Sequence, residues 1–552
     1  MTHEPLTASL RARFSVTCVA LCVALALSAC AGDDDPPAAD LGPSDAGSDL
    51  GPRDAAAVAD AAACPVTCSN DDGCCPVACG PATDNDCAAP PAGVYPFQGY
   101  TDTRGAFEAT IDGAAEPRIL VVDRLTASDT DGDEATGRGS LSWALAQRYP
   151  RVVLFEISGV ITIGGDLNIA SPYVSVHGQT APSPGITLYD VSLTVSTHDV
   201  ILQHLRVRMG ETMRGGGDPM GVCGTADGAT HDIIIDHCSS ALGHDEQLSI
   251  SSCGDGDVRR VTLSNNIVSL GLNYADHAFG TLIDSGGSNA YDVDEILVEG
   301  NLFSDVSFRT PLVNFAARHV TITNNVTYNT QWVGMQVETD GYPEGQFVDV
   351  MHNLYWRGPE TENAGTWPTP EVATWPAQPD LWPPSWNRDR RPVSAFRGPA
   401  GSNTHVYYAN NYDYANNEDY GGGNHEGRPV ELQYERYLGA MSFADIHATS
   451  RQTSPAIVLL TPREVEARVD DHVGCTAADR DPVDLLAVRD AVNRTGTYLD
   501  HVADLVARGA AATATGSDSR SLASIAGYPV DTELADTDGD GLTDLEGWLY
   551  NL

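Results

Sequence analysis

The sequence predicts an all-β solenoid, in which short strands stack in one direction along the chain. A strand of alternating apolar residues that ends in asparagine recurs along the chain as DVRRVTLSNNIV, EILVEGNLF, HVTITNNVTY, FVDVMHNLYW and HVYYANNYD. The asparagines Asn265, Asn301, Asn325 and Asn353 follow one another at spacings of 36, 24 and 28 residues. Repeats in this range are typical of solenoids, because one rung cannot bury its apolar side alone and stacking supplies the core.

The asparagine after each strand predicts a bend. Asparagine tolerates the left-handed backbone region, and its amide bonds neighbouring backbone groups. We therefore expect the asparagines of successive rungs to bond to one another up a column.

A helix is predicted before the first rungs, in GSLSWALAQRY. Ser140 is its expected N-cap, and Leu141, Ala144 and Leu145 share one face. Such a helix would cover the open core and edge of the first rung.

The strand pattern lapses between Pro359 and Ser402 into a long loop. Its four tryptophans either stack on sugar rings or form the loop's own small core. These tryptophans are Trp367, Trp375, Trp382 and Trp386.

Composition limits the partners of the chain. The 552 residues contain 31 Lys plus Arg against 76 Asp plus Glu, a formal charge of −45. Nucleic-acid binding needs a positive surface, so the charge argues against it. An acidic substrate would also be repelled unless a cation bridges the two, and a metal ion is the expected bridge.

Residues 1–29 have the pattern of a secretory signal. Arg11 and Arg13 precede the apolar run FSVTCVALCVALAL, which is too short to favour a transmembrane helix. The ending LSAC resembles the bacterial lipobox, which would make Cys30 the lipidated first residue of an exported, membrane-anchored protein on the cell surface or facing the periplasm, or one released from it. The alternative is ordinary cleavage without a lipid.

Two short segments precede the body. Residues 31–63 are mostly Ala, Pro, Gly and Asp, which predicts a disordered acidic linker. Residues 64–87 contain six cysteines in CPVTCSNDDGCCPVACGPATDNDC. An exported chain meets oxidising conditions, so we expect a disulfide-bonded knob of unassigned pairing. Zinc binding is the alternative, although the spacing lacks CxxC pairs.

Six motifs occur in an order that resembles the pectate lyases of polysaccharide lyase family 1. They are GSLSWAL, VLFEISGVITI, YVSVHGQTAPSPGITL, VILQHLRVRMGE, IIIDHCSSALGHDEQLSI and FRTPLVNFAARHVTITNNVTYN, and the similarity covers about Gly99 to Asn411. The resemblance implies a right-handed parallel β-helix over residues 93–530, with a groove along one face. It also implies calcium-assisted β-elimination of polygalacturonate.

The resemblance aligns Arg309, in FRTPLVN, with the family's catalytic base. An arginine pKa above about 12 suits a base poorly. Either the site makes a neutral guanidine accessible, or the arginine stabilises charge while another group takes the proton. An ion pair joining two rungs is the structural alternative. His277 lies where the family has substrate-side residues, although a lone histidine is more often a hydrogen-bonded structural group.

The metal-ligand positions of the family are only partly matched in this sequence. The family has one Asp before the IDH strand and two acids four residues apart after it. Asp245 matches the first of the later pair, but Ser249 stands where the second acid would be, and the neighbouring Glu246 is the expected replacement. Before the strand, Asp218 is the better candidate and Asp227 the second choice. Calcium prefers several oxygen ligands of this kind.

Other family positions are expected to be structural or are changed. Asp236 and His237 match the IDH element and are expected to form a buried, hydrogen-bonded pair. Asn314 replaces the second arginine of the family's Arg-x-Pro-x-x-Arg pattern. Cys238 alternates with strand residues and is expected to be a core thiol. Cys223 and Cys253 bracket one rung, so that a disulfide between them is feasible.

The last residues, 531–552, contain DTDGDGLTDLEGW. Its acids fall at positions 1, 3, 5 and 9 of a calcium loop, with Gly541 at the turn, and they are Asp536, Asp538, Asp540 and Asp544. Glu546 stands at position 11 instead of 12, so the segment resembles DxDxDGxxD loops more than an EF-hand. A structural calcium is expected, with a solvated acidic tail as the alternative.

Together these features predict a monomeric lyase that cleaves an acidic polysaccharide, pectate above all, with Ca²⁺ as cofactor. Two alternatives remain. One is a non-catalytic β-helix that binds or adheres to polysaccharide after losing activity at Ser249 or Asn314. The other is a lyase or hydrolase for another polyuronate or for neutral pectin.

Overall fold

The computed structural model describes residues 96–551 with internal gaps. The gaps are 214–216, 227, 274–276, 287–290, 316, 332–333, 339–344, 364–393, 398–402, 415–427, 430–447, 454, 456 and 476–479. The predicted signal, Cys30, the linker, the cysteine-rich knob, the four tryptophans of the long loop and Asp227 all lie outside the described residues.

The longer strands form one sheet, here called the back sheet. In order across it, the strands are β2 (Gly132–Asp133), β3 (Arg138–Gly139), β1 (Arg118–Val122), β4 (Arg151–Phe155), β6 (Val174–His177), β8 (Val200–Gln203), β11 (Thr230–Asp236), β14 (Val258–Ser264), β17 (Val293–Glu299), β20 (Ala317–Thr323), β23 (Phe347–Met351) and β26 (His405–Ala409). From β1 to β26 every pairing of neighbours is parallel.

A second sheet has two arms that meet at the long strand β7 (Ile186–Val195). The first, here called the site arm, contains β5 (Gly159–Ile169), β10 (Met220–Cys223), β13 (Leu248–Ser251), β16 (Leu282–Asp284), β19 (Leu312–Val313), β22 (Met335–Glu338) and β25 (Ser394–Arg397). The second, the covered arm, contains β9 (Leu205–Arg208), β12 (Ser239–Ala241), β15 (Ile267–Ser269), β18 (Leu302–Ser304), β21 (Val326–Tyr328), β24 (Leu354–Trp356), β27 (Tyr412–Tyr414) and β28 (Arg428–Pro429).

Each rung passes through the back sheet, the covered arm and the site arm in turn, as β11, β12 and β13 do. The next rung repeats this path with β14, β15 and β16, and each strand pairs in parallel with its counterpart. This is the predicted parallel β-helix. The periodic strands produce it because equivalent apolar positions then fall in register from rung to rung.

The core lies inside this coil. One column of the back sheet aligns Ile233, Val261, Ile296, Val320 and Val348 on consecutive strands. All five side chains are fully buried. β-Branched residues suit such strands because their stiff side chains pack well against neighbours on a pleated surface.

The predicted asparagine column is confirmed, with Asn266 in place of Asn265 as the member from its rung. Asn301 Nδ2 donates to Asn325 Oδ1 and Asn325 Nδ2 to Asn353 Oδ1, each over 2.9 Å. The column begins at Asn266 and ends at Asn411 with the same 2.9 Å spacing. The residue before each stacked asparagine takes the left-handed conformation, and the first asparagine of each pair fills that position, as at Asn265, Asn324 and Asn410.

Helices lie at the ends and on the covered arm. They are α1 (Glu108–Ile111), α2 (Leu141–Ala146), α3 (Pro359–Asn363), α4 (Pro462–Asp471), α5 (Pro482–Asn493), α6 (Asp504–Ala507) and α7 (Asp544–Leu549), with short 3₁₀ helices at Gly105–Phe107, Gly178–Thr180 and Leu522–Ser524. Among the described residues, no helix is long and apolar enough to cross a membrane.

The predicted capping helix is α2. Ser140 is its N-cap and accepts a hydrogen bond from Trp143 N over 3.1 Å. Leu141, Ala144 and Leu145 are buried in the main core, as expected for a helix that covers the first rungs. The sequence-based prediction of this element is confirmed.

Two unpredicted helices cover the covered arm. Thr461 caps α4 through a capping box, and Asp481 caps α5 by accepting from two backbone N–H groups. Asp481 and Asp484 also accept from the buried guanidinium of Arg208 over 3.0 and 2.8 Å. The C-terminal segment is thereby attached to strand β9.

The last helix, α7, lies at the N-terminal end of the coil. Its Leu545 and Leu549 pack with Phe107 and Leu154 in a small separate core.

Near the site arm, Cys223 and Cys253 form the disulfide whose feasibility the sequence indicated. Cys238 is a buried core thiol, as predicted.

Candidate active site

Arg309 lies on the loop that enters strand β19 of the site arm, in a left-handed conformation with φ of 60°. Its carbonyl oxygen accepts a hydrogen bond from Thr281 N on the preceding rung, over 2.5 Å. The guanidinium carbon lies 4.4 Å from the centre of the Phe279 ring, and Nη1 donates to Glu246. The loop and its neighbours therefore fix both ends of this side chain.

Burial sets the electrostatics of Arg309. Desolvation lowers the pKa of its guanidinium below the ordinary arginine value, while the charges of Asp245, Glu338 and Asp218 oppose that change. Its Nε is buried and makes no hydrogen bond. An arginine in this state gives up a proton more readily than one in water.

Asp218 and Asp245 form a pair of like charges beside this arginine. Burial first, and then the charge of Asp245, raise the pKa of the Asp218 carboxyl well above its ordinary value. Ser249, which follows β13's first residue, donates a hydrogen bond to Asp218 Oδ2. Asp245 Oδ1 is buried and makes no hydrogen bond.

His277 lies next to Asp245. Its Nε2 is 2.9 Å from Asp245 Oδ1, within ion-pair distance but out of line for a hydrogen bond. The imidazole is about one third exposed, with 34% of its side chain accessible, and packs on the Phe279 ring at 4.0 Å. Its ring is therefore partly accessible beside the acidic pair.

The structure thus brings together five of the predicted site residues: Asp218, Asp245, Glu246, His277 and Arg309. They come from four successive rungs. Glu246 pairs with Phe279 and Phe279 with Phe308 in consecutive parallel bridges, and Asp218 lies just before β10, which pairs with β13.

Three neighbours were not predicted: Phe279, Asp284 and Glu338. Asp284 ends β16, and burial raises the pKa of its carboxyl although Ser251 donates to it over 2.7 Å. Glu338 ends β22 and interacts electrostatically with Arg309. The shared strand-end position of the two acids is a weak signal in the sequence, because the loops between these strands differ in length.

Asp236 and His237 lie at the asparagine column, away from the site arm. The predicted buried pair is present, with His237 Nδ1 2.7 Å from Asp236 Oδ2. Ser264 and Asn265 also donate to Asp236, over 2.7 and 3.0 Å. Burial alone would raise the pKa of Asp236, but the His237 charge and the hydrogen bonds from His237, Gln203 and Ser264 hold it below its ordinary value.

The back sheet carries a second group of possible metal ligands, His198, Asp199 and His231. The two imidazoles are stacked, with centres 4.8 Å apart and planes inclined by 15°. Each Nδ1 is already 2.7 Å from a carboxylate, of Asp199 and Asp232 respectively. In-plane lone pairs of stacked rings run parallel instead of converging, which does not suit one tetrahedral ion.

The C-terminal loop brings Asp536, Asp538 and Asp540 within 4.8 Å of one another. Asp544 is outside this group, and its carboxylate accepts from Thr537 N and Oγ1, each over 2.9 Å.

Glu546 is engaged elsewhere. It closes the capping box of α7 with Thr543 and pairs with Arg104.

Comparison with known proteins finds relatives that are named as probable pectate lyases. The chain is 30% identical over 460 residues to a probable pectate lyase C of Aspergillus flavus, covering 81% of this chain and 92% of that protein. It is 29% identical over 442 residues to a probable pectate lyase C of Neosartorya fischeri, covering 79% and 84% of the two chains. No family model matches the sequence.

Solved structures with partial similarity include a mutant pectate lyase of Bacillus subtilis, with a TM-score of 0.41, 11% identity and coverage of 70% of this chain and 96% of that one. Another is Jun a 1, the major allergen from cedar pollen, with a TM-score of 0.39, 13% identity and coverage of 69% and 91%. The assignment depends on the sequence relatives alone. Since the identity to the Aspergillus flavus protein extends over most of both sequences, this chain belongs to the pectate lyase family.

Proposed function

We propose that this chain is a polysaccharide lyase that cleaves pectate by calcium-assisted β-elimination. The observation that carries the proposal is the position of Arg309, which is held at the site arm beside the carboxylates of Asp218 and Asp245. The relatives named as pectate lyases support the same reaction.

The acidic pair fits a hard cation. The raised pKa of Asp218 arises from burial and from Asp245, so the two carboxylates repel each other without a positive charge between them. Asp245 Oδ1 also lacks a hydrogen bond. Asp218 and Asp245 would hold calcium through carboxylate oxygens. Bound there, calcium would withdraw charge from a uronate carboxylate and make the adjacent proton more acidic.

The residues of the chain would then act on that proton. In β-elimination the proton α to the uronate carboxylate leaves, its electron pair forms the new carbon–carbon double bond, and the glycosidic oxygen departs with its bonding pair. Arg309 faces the site with a lowered pKa, which suits either proton removal or stabilisation of the developing negative charge. His277, about one third exposed beside Asp245, is proposed to contact the substrate.

The direct test is product formation from polygalacturonate. We expect an ultraviolet-absorbing unsaturated sugar end to accumulate with calcium at mildly alkaline pH, and to stop with a chelator. Screening other polyuronates and methylated pectin would define the sugar. Binding of polygalacturonate without any absorbance rise would instead identify a non-catalytic polysaccharide-binding β-helix.

We also propose the arrangement of the full chain as an exported, monomeric protein. Residues 1–29 would be a signal, Cys30 a lipidated residue anchoring the protein in a membrane, 31–63 a linker, 64–87 a disulfide-bonded knob, 93–530 the lyase domain and 531–552 a calcium-loop tail. Mass spectrometry of the mature N-terminus tests the anchor, and an unmodified start after Cys30 would contradict it.

The tail is proposed to hold a structural calcium through Asp536, Asp538 and Asp540, with Asp544 as a predicted fourth ligand. Asp536 already accepts hydrogen bonds from the N–H groups of Gly539 and Gly541, which shapes the loop. Asp538→Asn should reduce the number of calcium ions bound, as measured by calorimetry, without changing turnover. An unchanged stoichiometry would leave the tail as a solvated acidic segment.

A further inference from the structure

Glu246 is a buried carboxylate whose hydrogen bond goes to the candidate catalytic arginine. Only 5% of the residue is exposed, and its Oε1 accepts from Arg309 Nη1. A buried carboxylate is costly unless it is paired, so the folded site needs this contact.

The backbone register explains how the two side chains meet. Glu246 pairs with Phe279 and Phe279 pairs with Phe308, which places three consecutive rungs directly above one another. Arg309 follows Phe308 and extends back over the Phe279 ring, whose centre is 4.4 Å from the guanidinium carbon. The terminal nitrogen of Arg309 then reaches Glu246 on the first of the three rungs.

These contacts hold the guanidinium from two directions. The Phe279 ring supports one face of the plane, and Glu246 binds one terminal nitrogen. A guanidinium carries five N–H donors, so one bond to Glu246 leaves others for a substrate. A long side chain otherwise loses substantial rotamer entropy when it is fixed for reaction.

The neighbouring acids have different partners. Asp245 lies beside His277 and interacts electrostatically with Asp218, whereas Glu246 bonds to Arg309. We propose that Glu246 is a positioning residue that fixes Arg309 for reaction, and that it is not a calcium ligand. This inference rests on the proposed lyase function.

The test compares turnover and calcium dependence in a double-mutant cycle. Glu246→Ala should lower kcat about 10- to 100-fold, because small misplacements of a catalytic group cost rate, while KM and the calcium half-saturation stay within about twofold. Glu246→Gln keeps an oxygen that can accept a hydrogen bond from Arg309, so it should lower kcat less than Glu246→Ala does. When it is combined with Arg309→Ala, Glu246→Ala should lower kcat by less than about a further twofold, since Glu246 acts through that arginine.

A matched control is Glu299→Gln. Glu299 is also buried, at 2% exposure, and pairs with Arg468 over 3.3 Å at the asparagine column. Its loss should lower the melting temperature and leave kcat unchanged. Thermal unfolding of each variant distinguishes a loss of fold from a misplaced Arg309 side chain.

Three results would overturn the inference and leave the lyase function intact. A calcium half-saturation raised tenfold or more in Glu246→Ala would make Glu246 a ligand. A full additional loss on the Arg309→Ala background would make its role independent of the arginine, and an unchanged kcat in an active enzyme would remove the role. Absence of unsaturated product from the wild-type protein on every polyuronate tested would instead refute the lyase function, and the inference with it.

Discussion

Ser249 on strand β13 donates a hydrogen bond from Oγ to Asp218, which lies just before the neighbouring strand β10. The resemblance to the family places an acid where this serine stands. The hydroxyl satisfies one oxygen of a carboxylate that burial and Asp245 make costly to ionise. The serine thereby moderates the repulsion of the acidic pair without adding a third negative charge.

Ser249→Asp should strengthen calcium binding. A third carboxylate would lower the calcium half-saturation about tenfold, because affinity rises with the number of charged ligands. Without calcium, the added charge should lower the melting temperature. Calorimetry with and without a chelator measures both effects. Ser249→Ala is the control and should not tighten binding, and an unchanged affinity in Ser249→Asp would place the calcium elsewhere.

Arg309→Ala should lower kcat at least about 100-fold, as expected when a group that stabilises developing charge is removed. Arg309→Lys should also be impaired, because lysine lacks the planar guanidinium that lies on Phe279. Steady-state formation of unsaturated product gives the measurement. Arg260→Ala, which breaks an ion pair with Asp232 on the back sheet, should affect stability only. Full activity of Arg309→Ala would refute the assigned role.

Asp218→Asn should make stability less dependent on pH when calcium is absent. The folded pKa of Asp218 is raised, so its penalty is absent below the unfolded pKa of about 3.9 and grows as pH rises through the folded pKa. In chelator at pH 8 the variant should therefore melt higher than the wild type. Calcium should stabilise the wild type more than the variant. Equal calcium-induced shifts in both proteins would show that Asp218 is not a ligand.

Asn325→Ala should lower the free energy of unfolding by about 2–4 kcal/mol. The change leaves the Asn301 N–H and the Val298 carbonyl without their 2.9 Å partners inside the coil. Asn410→Gly is the control, since glycine accepts the left-handed conformation found there and the site is exposed. Denaturant unfolding compares the two, and equal stabilities would mean that the column does not contribute to folding.

The fold was largely predictable because the repeating strands carry local information. Each asparagine signals a bend within its own rung, and Ser140 signals the start of α2 within one turn. The helices α4 and α5 were missed although Thr461 and Asp481 are ordinary N-caps. The position of α5 on the covered arm depends on Arg208, which lies more than 250 residues earlier in the chain.

The members of the candidate site could be proposed from the sequence, but their pairings could not. Asp218, Asp245, Glu246 and Arg309 were identified from the motif order. The sequence suggested Glu246 as a replacement metal ligand, whereas its bond to Arg309 and the approach of Phe279 depend on how three rungs align. Loops of unequal length separate those rungs, so sequence spacing cannot give the register.

By itself, then, the sequence determined a stacked β-solenoid and a set of charged residues at one of its bends, because strand periodicity and bend chemistry are local properties. Only the tertiary structure decided which of those charges meet. Desolvation shifts the pKa of Arg309 and Asp218, and both shifts exist only once neighbouring rungs remove part of the water around them.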